Sequence, residues 1–360
     1  MMPRRRTLRP RSRWREGGPS APGAVAILAL AALLAGVVGC GAGPQAKSAH
    51  PAATGAHTTA MAPGSHLDPP ALADLPAMAS TGGVPVLCYH YFRGAFAPGY
   101  GLRVLGSVVL GMPALGPREF WTTPVAEFER HLRHFRDNGI SVVTLDEVAD
   151  LVAAGKPLPE RAVILTIDDA DRSVYEHAFP LLKKYGLRAH VFVPTAQIGR
   201  SWSGLRVCND GQLREMAASG LVLLESHTHD LHYKVPASGG RVPAFLQPER
   251  IPADRRAAVA ATANGRWAPV AADLAVSRAE LARLVGPRPP WLAWPYGFAS
   301  TSLDSVSREV GFRGTVSLSP HLFGPADRDL HVGRFTLTAH TTMAQIKAIT
   351  PNTAIATIAP

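Results

Sequence analysis

The chain has 360 residues, enough for two average domains or for one α/β barrel with tails. Its 37 Lys and Arg outnumber 27 Asp and Glu, but seven arginines and one glutamate fall within residues 1–40, and the rest has no dense Lys/Arg stripe, which argues against nucleic-acid binding. The three cysteines, Cys40, Cys88 and Cys208, are too few for a disulfide framework and lack zinc-knuckle spacing.

Taken in order, the chain opens with arginines from Arg4 to Arg15, then an apolar stretch, Ala24 to Val38, too short for a comfortable membrane span. It ends in Val37-Val38-Gly39-Cys40, which resembles a bacterial lipobox. Residues 1–40 are therefore expected to be a lipoprotein signal with Cys40 as the lipidation site, a plain signal peptide or uncleaved anchor being the alternatives. The expected location is outside the cytoplasm, lipid-anchored on the extracellular or periplasmic face of the cell membrane. Residues 41–82, rich in Ala, Pro, Gly and Thr without apolar period, read as a flexible tether.

Val84 to Tyr89 reads as the first strand, with His90 at its end, and Arg93 to Pro117 as a long Gly/Pro-rich loop near a site. Val125, Phe128, Leu132 and Phe135 lie at helical spacing in a helix from Thr123 to Asn138. Ile140–Leu145 reads as a strand, and Asp146 as the cap of a helix through Ala153. A buried strand, Val163–Ile167, precedes a helix from Ser173 to Tyr185, then a strand, Ala189–Val193, a helix, Gln212–Ala218, and an apolar run, Leu221–Leu224. Residues 233–275 read as an insertion loop with no motif, followed by a helix from Val276 to Leu284. Trp291–Trp294, Gly314–Leu318 and Val332–Leu337 are the last strands, with a helix at Leu303–Val310 and a tail, 341–360, holding a short helix around Met343–Ile349. Alternation at this pitch predicts a parallel α/β fold, with chemistry at the C-terminal ends of the strands.

Two clusters carry that chemistry. Asp168 and Asp169 follow the Val163–Ile167 strand directly. Neighbouring residues of an extended chain point opposite ways, so one carboxylate can bind a metal while the other faces a substrate. The plainer reading is a turn, with Asp171 opening the next helix. The second cluster, Glu225-Ser226-His227-Thr228-His229-Asp230-Leu231-His232, places three histidines after another strand. Neutral imidazoles with one carboxylate form a common shell for Zn²⁺ or another divalent ion.

Thr166-Ile167-Asp168-Asp169-Ala170 resembles the T-F-D-D-G motif of polysaccharide deacetylases, the NodB-like carbohydrate esterases. His227-Thr228 with His232 resembles that family's second motif. Its His-x4-His spacing is similar to that of the poly-β-1,6-N-acetylglucosamine deacetylase branch, the PgaB and IcaB type. Trp294-Pro295-Tyr296-Gly297 resembles the third motif, and Pro85-Val86-Leu87-Cys88-Tyr89-His90 the N-terminal strand of that branch. The resemblance runs from about Val84 to Leu337 and implies a distorted (β/α)7 barrel, a NodB-homology domain, over residues 83–340. It implies a metal-dependent hydrolase that removes N-acetyl groups from an N-acetylglucosamine-containing exopolysaccharide or cell-wall glycan.

The roles it implies are Asp169, His227 and His232 as ligands of a divalent metal, most often Zn²⁺. Asp168 is the general base, His90 the general acid, and the Tyr296 backbone N–H the oxyanion donor, with Trp294 and Pro295 beside the substrate. His229 is a rival ligand by alternation. Trp294 and Tyr296 are either stacking platforms for sugar rings or core residues, and a Cys88–Cys208 bridge stays open. Three departures stand out. Ile167 replaces the motif's Phe; Ala170 replaces its Gly, with strain if the position needs positive φ. Ala293 stands where many members carry an arginine that orients the base, a task Arg334 is able to take over. An O-acetyl esterase and a catalytically impaired carbohydrate-binding lipoprotein are the competing readings.

Overall fold

The computed structural model describes residues 82–94, 117–257, 265–288 and 290–350, within one compact unit. The expected signal with Cys40, the tether to residue 81, and most of the loop after Arg93 lie outside the described residues. Among the described residues no helix is long and apolar enough to cross a membrane.

The strands in chain order are β1 (Val86–Tyr89), β2 (Tyr91–Arg93), β3 (Thr122–Pro124), β4 (Ser141–Val143), β5 (Ala162–Ile167), β6 (Ala189–Val193), β7 (Ser201–Trp202), β8 (Leu205–Arg206), β9 (Val222–Ser226), β10 (Lys234–Ala237), β11 (Gly240–Pro243), β12 (Trp291–Ala293), β13 (Gly314–Val316), β14 (His331–Val332) and β15 (Phe335–Thr336). The main helices are α1 (Val125–Asp137), α2 (Leu145–Ala153), α3 (Phe179–Tyr185), α4 (Asp210–Ala218), α5 (Ala268–Val285), α6 (Thr301–Val310) and α7 (Met343–Ile349).

The large sheet runs β14-β13-β12-β9-β6-β5-β1-β15, every pair parallel, with β4 against the first half of β5. Its two edge strands are two residues apart in the chain. The single strand expected at Val332–Leu337 is thus one segment broken at Gly333-Arg334, whose first half pairs β13 and whose second half pairs β1. This segment is the seventh stave, and the sheet curls until both edges share it: a distorted (β/α)7 barrel. The break falls on Gly333 for a steric reason. A Cβ there would meet the Ser319 carbonyl oxygen at 2.1 Å and His321 Nδ1 at 2.2 Å, distances no side chain tolerates.

Alternation sorts the strand residues between two cores. Val86, Ile164, Phe192, Trp291, Ala293, Val316 and Val332 form an inner cluster, joined by Leu145, Val148, Ala149 and Val152 of α2. Leu87, Tyr89, Val163, Leu165, Ile167, Val191 and Val193 form the outer one, against α1, α3, α4 and α7. Because Ile346 and Ile349 are buried in it, the C-terminal helix is part of the folded body rather than a loose tail. Inside the barrel His190 Nε2 accepts from the Leu145 N–H, so its Nδ1 holds the proton and donates to Glu225 at 2.9 Å. This fixes the start of α2 to the barrel wall.

Three local expectations are corrected. The cap of α2 is Thr144, not Asp146: the Thr144 hydroxyl accepts from the Glu147 N–H while the Glu147 carboxylate accepts from the Thr144 N–H, a reciprocal pair that outcompetes a later Asp. The helix expected from Val276 begins at Ala268, since the Ala-rich start, with Pro269 in its first turn, is strongly helical but hides the apolar period. The bridge left open between Cys88 and Cys208 is absent; both are buried free thiols.

One buried histidine outside the site makes the fold sensitive to acid. Nδ1 of His131 lies 3.0 Å from the Tyr89 hydroxyl, and burial, aided by the charges of Arg130 and His134, pushes its pKa down to about 4. The unfolded imidazole titrates near 6.5, so this site costs nothing above that pH; as pH falls from about 6.5 to 4 the unfolded state gains a proton that the folded state refuses, losing about 3 kcal/mol of stability. Urea unfolding of the wild type and of His131→Gln at pH 7 and pH 4.5 should show the wild type losing more. Parallel losses would place the acid sensitivity elsewhere.

Candidate active site

The C-terminal ends of β1, β5, β9 and β12 deliver the chemistry. The Asp168 N–H still bonds the Tyr89 carbonyl, so Asp168 continues the ladder and keeps the inward alternation of Ile164 and Thr166. The backbone then turns sharply: Asp169 has φ 68° and Ala170 φ 47°. Two left-handed non-glycine residues in succession cost roughly 1 kcal/mol each. The turn swings Asp169 out of the alternation so that both carboxylates serve one site. Asp171 then accepts from the Ser173 and Arg206 N–H groups and anchors the turn that follows.

Asp168 is 3% exposed and gripped by Arg334, whose two terminal nitrogens donate to its two oxygens at 2.6 and 2.8 Å. Burial alone raises the pKa of this carboxyl, but the guanidinium outweighs it and holds the group well below the usual carboxylate range. The Cys88 thiol lies 3.6 Å from Asp168 Oδ2, and His90 Nε2 4.0 Å from the same oxygen. Burial lowers the pKa of His90 while Asp168 opposes it. The His90 ring lies 4.6 Å from that of Trp121.

Asp169, His227 and His232 converge beside this pair. Asp169 Oδ1 is 3.5 Å from His227 Nε2 and 3.6 Å from His232 Nε2, and ligand atoms of the three residues lie within 4.8 Å of one another. His227 Nδ1 is 2.8 Å from the Ala293 carbonyl. A carbonyl only accepts, so Nδ1 carries the proton and Nε2 turns a lone pair toward Asp169. Burial holds both imidazoles down to about 4, hence neutral at pH 7. Asp169 Oδ2 takes the Tyr91 hydroxyl at 2.6 Å, but buried Oδ1 has no partner. A carboxylate oxygen and neutral imidazoles facing each other form an arrangement that a cation satisfies. Cys88, His90 and Asp168 also lie within that reach of one another, but the Arg334 charge on Asp168 disfavours a second cation there.

His229 points elsewhere: its Nδ1 is 2.9 Å from Thr195 Oγ1, which disposes of it as the rival ligand. Trp294 is fully buried, with its indole N–H on Asp304 at 3.2 Å and its ring 5.1 Å from Phe245. It therefore offers no face to a sugar, a correction to its expected place beside the substrate, and Pro295 is buried as well. Tyr296 differs, being part exposed, at φ 60°, with its ring 4.6 Å from that of His232. A cavity of about 580 Å³ opens over His232 and Tyr296, with Trp202 of the β7–β8 hairpin on its wall.

A family model described as polysaccharide deacetylase matches residues 155–315. The structure of IcaB from Ammonifex degensii is 31% identical to this chain, covering 74% of it and 95% of IcaB, with a TM-score of 0.57. The chain belongs to the polysaccharide deacetylase family. The BpsB deacetylase domain from Bordetella bronchiseptica is 28% identical over 71% of this chain and 96% of its own, with a TM-score of 0.53. A poly-β-1,6-N-acetyl-D-glucosamine N-deacetylase of Staphylococcus aureus is 25% identical over 213 residues, 59% of this chain and 66% of that relative, just under two thirds of its length.

For a polysaccharide deacetylase the chain departs from the family motif in a structurally legible way. Ala293 brings no guanidinium to Asp168, and Arg334 grips that carboxylate instead, from the broken stave. Ala170 adopts the left-handed turn that the motif gives to Gly. Sequence reasoning missed Asp273 altogether. This α5 residue is 2% exposed and accepts from the N–H groups of His229 and Asp230 at 2.8 Å each, fixing the loop between the two histidine ligand candidates. Its signal was an acid on the apolar face shared by Val270, Leu274 and Ser277.

Removing Asp273 leaves two loop amides without an acceptor. Asp273→Ala should destabilise the chain by about 2 kcal/mol and speed hydrogen exchange at His229 and Asp230. Unchanged protection of these amides would mean that the loop holds its shape without α5.

Proposed function

We propose that the chain removes N-acetyl groups from an N-acetylglucosamine-containing polysaccharide, an exopolysaccharide or cell-wall glycan, using a divalent metal held by Asp169, His227 and His232. The observation that carries this is the unpartnered, buried Asp169 Oδ1 facing two imidazole Nε2 atoms, beside an Arg334-clamped Asp168. Two neutral imidazoles and one carboxylate suit zinc and leave positions for water and substrate. When bound, the ion supplies Lewis-acid polarisation of the acetyl carbonyl and lowers the pKa of water.

The chain's own groups do the rest. Asp168 stays ionised, and both oxygens are pinned by Arg334, so it acts only as an acceptor: it takes the proton of the attacking water. His90 gives a proton to the departing amine; the nearby Asp168 charge favours its imidazolium form against the burial that opposes it. The Tyr296 backbone N–H steadies the oxyanion; the ring of the same residue lies against that of His232. Tyr91 orients Asp169 by donating to its Oδ2, leaving Oδ1 for the ion. The relatives named as N-deacetylases support an amide rather than an ester as the bond cleaved.

Residues 1–40 supply export and a lipid anchor at Cys40, and residues 41–82 a tether that lets a surface-held enzyme reach polymer. Acetate release from N-acetylglucosamine oligomers should be abolished by chelator and restored by Zn²⁺, and Asp168→Asn should lower kcat by about 10²-fold or more. Full activity in that variant would remove Asp168 as the base. Cys40→Ala should move the chain from the membrane fraction to the medium or periplasm; continued sedimentation with membranes would point to another anchor.

A further inference from the structure

Building on the deacetylase reading, we propose that the groove through this site takes a glycan that carries anionic groups, carboxylate or phosphate, next to its acetylated amino sugars. The β10–β11 hairpin, in the region where the sequence shows no motif, brings two cations to the 580 Å³ cavity beside His232 and Tyr296. The Lys234 ammonium lies 4.8 Å from the centre of the Tyr296 ring, and the Arg241 guanidinium donates to the Lys234 carbonyl, which fixes the two charges side by side. Both side chains are exposed, and among the described residues neither has an acidic partner. The cavity's one acid, Asp230, is matched by Arg255 at 3.5 Å.

The other flank repeats the pattern. A second cavity, about 430 Å³, opens beside Tyr91, whose hydroxyl donates to Asp169, and it is lined by Arg93 and Arg206. Of its acids, Glu176 pairs with Arg172 at 2.6 Å, and Asp171, held by two backbone N–H groups, offsets one of the two remaining arginines, so the flank keeps one positive charge in surplus. Residues 95–116 and 258–264, the two undescribed internal stretches bordering these regions in sequence, contain no Asp or Glu, so the sequence adds no acid there.

Charge bookkeeping on the glycan then decides the substrate class. Each acetyl removed leaves an ammonium on the sugar. A neutral amino-sugar polymer becomes steadily more cationic, and a surplus of three positive charges flanking the site, two on the first side and one on the second, repels it. A polymer with an anion per amino sugar begins negative and ends near neutral, so the groove attracts it throughout.

The test is calorimetric binding to the whole chain of three length-matched oligosaccharides. One is a neutral N-acetylglucosamine oligomer, one bears a carboxylate ether on alternate sugars, and one is joined by phosphodiesters. The anionic oligomers should bind about tenfold more tightly at low salt, on the scale of a few exposed charge pairs. The preference should shrink in a Lys234→Gln/Arg241→Gln double variant, which keeps Arg93 and Arg206, and should vanish at about 0.5 M salt; the tighter anionic arm identifies the group. Unfolding curves that superimpose on the wild type establish that the variant is folded. Equal or tighter binding of the neutral oligomer, or a preference undiminished by the double substitution, overturns the proposal. Acetate release measured alongside separates the two readings. No release with the anionic preference intact sinks the deacetylase reading alone, and release without preference sinks this one alone.

Discussion

A guanidinium with no exposed surface stands at the centre of this barrel. Arg334 is fully buried, and the interior of a barrel does not solvate a charge. It is held by the Asp168 carboxylate on two atoms, by the Ser317 carbonyl and by the Thr166 hydroxyl. The contacts come from two separate strands of the ring: β5 supplies Thr166 and leads into Asp168, and Ser317 follows β13. The pair therefore ties the closure of the sheet to the orientation of the Asp168 carboxylate. Either member alone would be an uncompensated buried charge, a far larger penalty than the pair's own net worth.

Around this pair the site separates two carboxylates that are neighbours in sequence. Asp168 is compensated by a fixed cation that takes both of its oxygens. Asp169 is given one donor, Tyr91, and a bare oxygen aimed at two imidazoles. Both depend on a strained turn at Asp169 and Ala170, braced where the Cys208 N–H bonds the Ala170 carbonyl. Strain of this kind persists only where the surroundings over-determine it.

The fold was legible because its parallel strands are continuous apolar runs and its helices begin and end on strong local signals. The metal-ligand candidates were legible because their spacing matches a known motif. Other features were hidden by the limits of local pattern. The rupture at Gly333 depends on crowding by Ser319 and His321, which no local window in the 331–337 stretch reveals. The start of α5 is masked by alanines that fit any period, and Asp273 with it. Trp294 looked like a sugar platform because an aromatic at a strand end serves either purpose; only the Asp304 acceptor and the Phe245 ring assign it to the core. The opposite slip occurred at residues 168 and 169, where strict alternation would have sent two adjacent acids to different faces.

The placement of β1 beside β15 has a consequence for how the molecule comes into being. His90 directly follows the first strand of the described domain and Arg334 directly precedes the last, yet Leu87 pairs with Phe335 across one ladder. A growing polypeptide has made both aspartates, all three histidines of the second cluster and most of the barrel before residue 334 exists. Until then Asp168 lacks its counter-charge, and the ring has a gap where its final stave belongs. A copy that stops short of residue 334 therefore lacks at once the stave that closes the ring and the guanidinium that compensates a buried carboxylate.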